Sequence, residues 1–126
     1  VKAHFILYVK DQKKSTEFYR AVLNLVPVLD VPGMTEFRLN EGCILGLMPE
    51  SGIKKLLGDV LEDPAAATGV ARSEVYLVSD VAEDCFSRAL NCGARLLSAF
   101  SLRDWGDIVA YCQDLDGHVL AFAKTH

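Results

Sequence analysis

The chain repeats itself, and that repeat limits what it can fold into more than any other feature. The segment Asn40-Glu41-Gly42-Cys43-Ile44-Leu45-Gly46-Leu47-Met48 lies over Leu115-Asp116-Gly117-His118-Val119-Leu120-Ala121-Phe122-Ala123 at an offset of 75, with Gly on Gly, Ile on Val and Leu on Leu. Each reads as a tight turn entering a strand. At the start of each copy, His4-Phe5-Ile6-Leu7-Tyr8-Val9 lies over Glu74-Val75-Tyr76-Leu77-Val78-Ser79 at an offset of 70. Both read as short strands rich in β-branched and aromatic residues. Between them Val22-Leu23-Asn24 matches Ala89-Leu90-Asn91 at an offset of 67. Those matches close two stretches of helical spacing: Lys13 to Leu25, with Phe18, Val22 and Leu25, and Val81 to Cys92, with Cys85, Ala89 and Cys92.

The remaining strands are expected at Val28 to Asp30, Thr35 to Leu39 and Cys43 to Met48, and again at Arg95 to Ala99, Ile108 to Cys112 and His118 to Ala123. The expected fold class is therefore α+β: two βαβββ repeats forming curved, barrel-like antiparallel sheets around a central cavity. One domain is expected over 1–126, with repeat one at 1–49, a connector at 50–72 and repeat two at 73–126. The connector carries a short helix expected at Ile53 to Leu57.

Composition excludes several classes of partner. Lys+Arg 13 against Asp+Glu 17 gives a net charge of −4 without runs of like charge, so nucleic acid is not an expected partner. Apolar stretches such as Phe5 to Val9 fall far short of the roughly 18 to 20 residues needed to cross a bilayer, so no membrane span is expected. The start, Val1-Lys2-Ala3-His4, shows no export-signal pattern, and the expected compartment is the cytoplasm. Cys43, Cys85, Cys92 and Cys112 form no Cys-x-x-Cys pair, which speaks against structural zinc; they are expected to be reduced, buried core thiols.

Strand alternation puts His4, Ile6 and Tyr8 on one face and their counterparts Glu74, Tyr76 and Val78 on one face of the second copy. Gly46 and Ala121 are small residues at mirrored positions. They remove volume where large side chains would otherwise project, which favours a cavity. Glu36 has two registers open to it. With a three-residue turn at Asn40-Glu41-Gly42, Leu39 pairs with Cys43 and Glu36 comes opposite Gly46; with a two-residue turn Phe37 takes that place.

The order of His4-x6-Asp11, Ser15-Thr16-Glu17-Phe18-Tyr19-x3-Leu23, Arg103-Asp104-Trp105-Gly106-Asp107 and Tyr111-x2-Asp114-x-Asp116-Gly117-His118 resembles the vicinal oxygen chelate superfamily of glyoxalase I, bleomycin-resistance proteins, extradiol dioxygenases and fosfomycin-resistance transferases. The resemblance covers essentially the whole chain. It implies metal-ligand positions on the first and last strands of each repeat, which fall on His4, Gly46, Glu74 and Ala121. Gly46 and Ala121 have no donor side chain, and the resemblance puts the proton-abstracting carboxylate of a glyoxalase-like mechanism on those last strands. It also implies a homodimer. His118 reads as a turn or outer-face histidine.

Two functions follow from these residues. The first is a small-molecule binding protein of the glyoxalase/bleomycin-resistance type, metal-independent and without a cofactor, whose ligand contacts are His4, Tyr8, Glu36, Met48, Glu74, Tyr76 and Trp105. The alternative is a lyase, isomerase or dioxygenase-like enzyme holding a divalent metal at His4 and Glu74 with Glu36 or water. His4 and Glu74 also fit a structural hydrogen-bonded pair, and Trp105 a lid or a subunit contact.

Overall fold

The element order is β1 (Ala3–Val9), α1 (Gln12–Leu23), β2 (Leu29–Val31), β3 (Met34–Asn40), β4 (Cys43–Pro49), α2 (Glu50–Leu57), β5 (Glu74–Val78), α3 (Ala82–Asn91), β6 (Arg95–Leu102), β7 (Asp107–Gln113) and β8 (Val119–Thr125). The computed structural model describes residues 1–67 and 70–125. Helix α1 starts where the Asp11 carboxylate accepts from Lys14 N at 3.0 Å, an N-cap that satisfies one of the unpaired amides of the first turn. It ends at Asn24, whose left-handed conformation (φ 52°) turns the chain away, so Leu25 lies beyond the helix that its spacing had included. In the connector, α2 begins at Glu50 rather than Ile53, and Lys54 Nζ donates to the carbonyls of Gly58 (2.9 Å) and Leu61 (2.7 Å), fastening the turn that follows.

The chain divides into two compact units: Val1–Arg20 with Asn24–Thr68, and Ala21–Leu23 with Gly69–His126. Each holds one four-stranded sheet, in the order β1-β4-β3-β2 in the first and β5-β8-β7-β6 in the second. Three strands of each sheet run antiparallel, as hairpin turns require. The first strand, however, joins the last one parallel: Ile6 pairs with Gly46 and Tyr76 with Ala121. The sheets are thus mixed and curled rather than all-antiparallel, and they are not closed barrels. Consecutive strands advertise antiparallel pairing through their turns, whereas β1 and β4 are separated by a helix and two strands and leave no local signature.

In the first unit, Thr16 and Gln12 of α1 hydrogen-bond to Thr35 of β3, which identifies the face that α1 packs on. Strand alternation then puts Phe37, Leu45, Leu47 and Leu7 on that face, all buried, while His4, Ile6, Tyr8, Glu36 and Gly46 belong to the opposite one. In the second unit α3 packs through Phe86, whose ring lies 5.3 Å from Phe100 and 5.9 Å from Phe122. Cys112 and Leu120 share that buried face. Among the expected core thiols Cys85 and Cys112 are buried, but Cys43 is half-buried and Cys92 exposed, because Cys92 lies just past the end of α3.

Candidate functional site

The β3–β4 hairpin decides where Glu36 stands. Asn40 pairs with Cys43 across a two-residue tip, and a bulge between Arg38 and Asn40 then absorbs Leu39, so Arg38 faces Ile44 and Glu36 faces Gly46. Glu36 therefore reaches the position expected of the longer turn, although Leu39 does not pair with Cys43. In the parallel register His4 lies beside Ile44, one row from Glu36, and its Nδ1 approaches Glu36 Oε2 at 3.3 Å. The side chains are 42% and 20% exposed, so the pair is open to solvent on one side. Tyr8 and Met48 pair on the same face.

Gly46 sits in the middle of this face. A Cβ placed there would come within 3.1 Å of Ile6 Cγ1 and 3.4 Å of Met34 Sδ. The volume that the glycine leaves free is thus overhung by two side chains of the same unit. Two donors, His4 and Glu36, converge beside it, one fewer than the three protein ligands of a catalytic zinc site, so within the first unit the donor set does not fit a resident metal.

In the second unit the row Tyr76–Ala121–Tyr111 crosses β5, β8 and β7 on the face opposite α3. Tyr76 Oη donates to Asp107 Oδ2 at 2.6 Å and accepts from Trp105 Nε1 at 2.9 Å. Partial desolvation and then the Asp107 carboxylate hold the Tyr76 phenol above its ordinary value, with the Trp105 N–H acting the other way. Trp105 lies in the loop between β6 and β7, and the backbone bonds Gly106 N to Arg103 O (3.0 Å) and Arg103 N to Asp107 O (2.9 Å) close that loop. Glu74 stands exposed at the start of β5, opposite Val119.

The structure therefore brings together His4 with Glu36, Tyr8 with Met48, and Tyr76 with Trp105. Two features went unread in the sequence. One is a groove of about 490 Å³ along α1, lined by Gln12, Thr16, Arg20, Asp30 and Pro32 among others, none of them an expected contact residue. The other is the β7–β8 turn, where Asp114, Asp116 and His118 each bring one ligand atom within 4.8 Å of the others. Asp114 Oδ1 accepts from the amides of Asp116 and His118 at 2.9 Å each, so this buried carboxylate braces the turn in which His118 lies, as expected of a turn histidine.

Residues 3–122 match the model of the Glyoxalase/Bleomycin resistance protein/Dioxygenase superfamily. Among solved structures the chain is similar to a glyoxalase-related enzyme from Fulvimarina pelagi, with 21% identity and a TM-score of 0.81 over 99% of this chain and 88% of that one. It is similar at 14% identity to a glyoxalase/bleomycin resistance protein/dioxygenase family enzyme from Burkholderia phytofirmans PsJN, with a TM-score of 0.81 over 98% of this chain and 97% of that one. TioX from Micromonospora sp. ML1 shares 16% identity, with a TM-score of 0.71 over 100% of this chain and 99% of that one. At such identities the likeness is one of fold. No curated protein matches.

Proposed function

We propose, since the chain belongs to the glyoxalase/bleomycin resistance protein/dioxygenase superfamily, that it is a metal-independent protein that binds a small molecule. The observation that carries this reading is the His4–Glu36 pair, a polar contact on a face that also carries Ile6, Tyr8 and Met48, with Arg38 in the row of His4. A few oriented polar groups among apolar ones are the usual makeup of a ligand surface. In the second unit, Tyr76 and Trp105 present aromatic surface and Glu74 an exposed carboxylate. The exposed apolar side chains Ile6 and Tyr8, on the face turned away from α1, support a homodimer in which a second copy covers part of them. Its compartment on this reading is the cytoplasm.

A thermal-shift screen of small aromatic and oxygen-rich compounds tests the binding. A ligand at a hundred times its Kd adds about 2.7 kcal/mol, which for a chain of this size raises Tm by about 10 °C. The shift should shrink in Glu36→Gln and His4→Ala. A screen without a single stabilising compound, or a shift untouched by both substitutions, overturns the reading. The alternative is a metal-dependent lyase, isomerase or dioxygenase-like enzyme, in which water would complete the shell that the two donors His4 and Glu36 leave open. Metal analysis of protein prepared without chelator separates the two: near one equivalent of zinc, nickel, manganese or iron that disappears in His4→Ala favours the enzyme.

A further inference from the structure

Arg103 is anchored by one nitrogen and uncommitted at the other two. Its Nη2 donates to Ser98 Oγ and to Val109 O, both at 2.8 Å, with a longer contact of 3.4 Å to Ala99 O. The guanidinium carbon lies 5.1 Å from the centre of the Tyr111 ring, so the group is held over an aromatic face. Nε is buried and bonds to nothing, Nη1 has no acceptor, and no carboxylate pairs with the side chain among the described residues. A partly desolvated guanidinium without a counter-ion is electrostatically incomplete, and an anionic oxygen reaching the free Nη1 would complete it.

Two residues along the same closed loop stands Trp105, 59% exposed. Its ring is nevertheless fixed, because the indole N–H is tied to Tyr76 Oη, which is itself tied to Asp107. An immobilised indole open to solvent is a ready surface for a flat ring, since little side-chain freedom is lost on contact. Asp104 and Asp107 belong to the same loop and would oppose a doubly charged phosphate more than a singly charged acid. We propose that Arg103 and Trp105 bind a planar aromatic carboxylate, with the acid group on Arg103 Nη1 and the ring against the indole. This rests on the small-molecule reading and narrows it to a ligand class.

The chain has one tryptophan, so ¹⁵N-labelled protein gives a single indole cross-peak that reports on this loop alone. Benzoate, benzyl alcohol, benzylamine and phenyl phosphate are titrated in parallel at constant ionic strength. Benzoate should move the Trp105 peak saturably with a Kd on the order of 1 mM, fitting for so small a probe. The alcohol and the amine should bind at least about tenfold more weakly, as loss of one charged contact implies. Arg103→Gln should reduce benzoate to the level of the alcohol. Because Arg103 also ties β6 to β7, the charge series on the unaltered protein stands as a test that needs no variant. Benzoate binding no tighter than the alcohol, or phenyl phosphate binding tighter than benzoate, overturns the assignment. If the thermal-shift screen yields a ligand while all four probes leave the indole peak in place, the Arg103 site falls and the binding reading survives. If both fail, both fall.

Discussion

Replacing Thr35 by valine tests the polar seam between α1 and β3. Thr35 has no exposure to solvent, and its Oγ1 meets Thr16 Oγ1 at 2.8 Å, Gln12 Nε2 at 3.0 Å and Asp30 Oδ1 at 3.2 Å. With the Thr35 proton given to Asp30, both Thr16 and Gln12 donate to Thr35. Valine keeps the shape and removes the acceptor. Gln12 retains the Val31 carbonyl at 2.8 Å, but the buried Thr16 hydroxyl loses this contact. A stranded buried hydroxyl costs about 1–3 kcal/mol, and a turn of Thr16 back to the carbonyl four residues earlier sets the lower end of that range. We expect about 2 kcal/mol for Thr35→Val, which at the usual unfolding entropy per residue lowers Tm by about 8 °C. The double variant Thr16→Val/Thr35→Val should cost no more than Thr35→Val alone, because the stranded group is gone. Urea unfolding of all four proteins gives the cycle. A Thr35→Val protein within about 0.5 kcal/mol of the parent, or a double variant equal to the sum of the singles, would refute the seam as described.

Two further outcomes follow from buried groups. Desolvation, helped by Asp114, pushes the Cys112 thiol up to about 12 from an ordinary 9. Above pH 9 the unfolded chain releases a proton that the folded one keeps, so stability should fall as pH rises from 9 toward 12, by at most about 2 kcal/mol at pH 10.5. Urea melts of Cys112→Ala should be flatter over that window than those of the parent; identical profiles would rule the thiol out. At Gly46, alanine should be nearly neutral, since the strand's gain in order offsets a small displacement of Ile6 and Met34. Leucine should overpack by about 1–3 kcal/mol, and equal costs for the two would mean the overhang is not there.

The repeat carried most of the fold into view. Among the described residues, periodicity located the eight strands and the three α-helices to within a few residues, since apolar spacing is a local property that the chain prints directly. The pairing of β1 with β4 was not legible, because partners forty residues apart share no turn chemistry. Glu36 shows the difference between outcome and route: it faces Gly46 as one register required, yet through a bulge at Leu39 that no composition signals. Arg103 and Trp105 sit in a motif that stands out, but only the fold shows that the guanidinium has no acid partner among the described residues and that the indole is tied to Tyr76. The groove along α1 depends on how the Pro32–Gly33 turn, with Gly33 at φ 96° and its amide on Gln12, lies against a helix far from it in sequence.

The parallel join of β1 also sets a timetable for synthesis. The ribosome delivers the His4 strand first, yet its bonding partner, the Gly46 strand, emerges some forty residues later, about 2–8 s at ordinary elongation rates. Until then β1 lacks this partner, while β2, β3 and β4 can zip together by successive hairpins. Of the four strands of this sheet, β1 is thus translated earliest and waits longest for its partner, and it carries the histidine that meets Glu36.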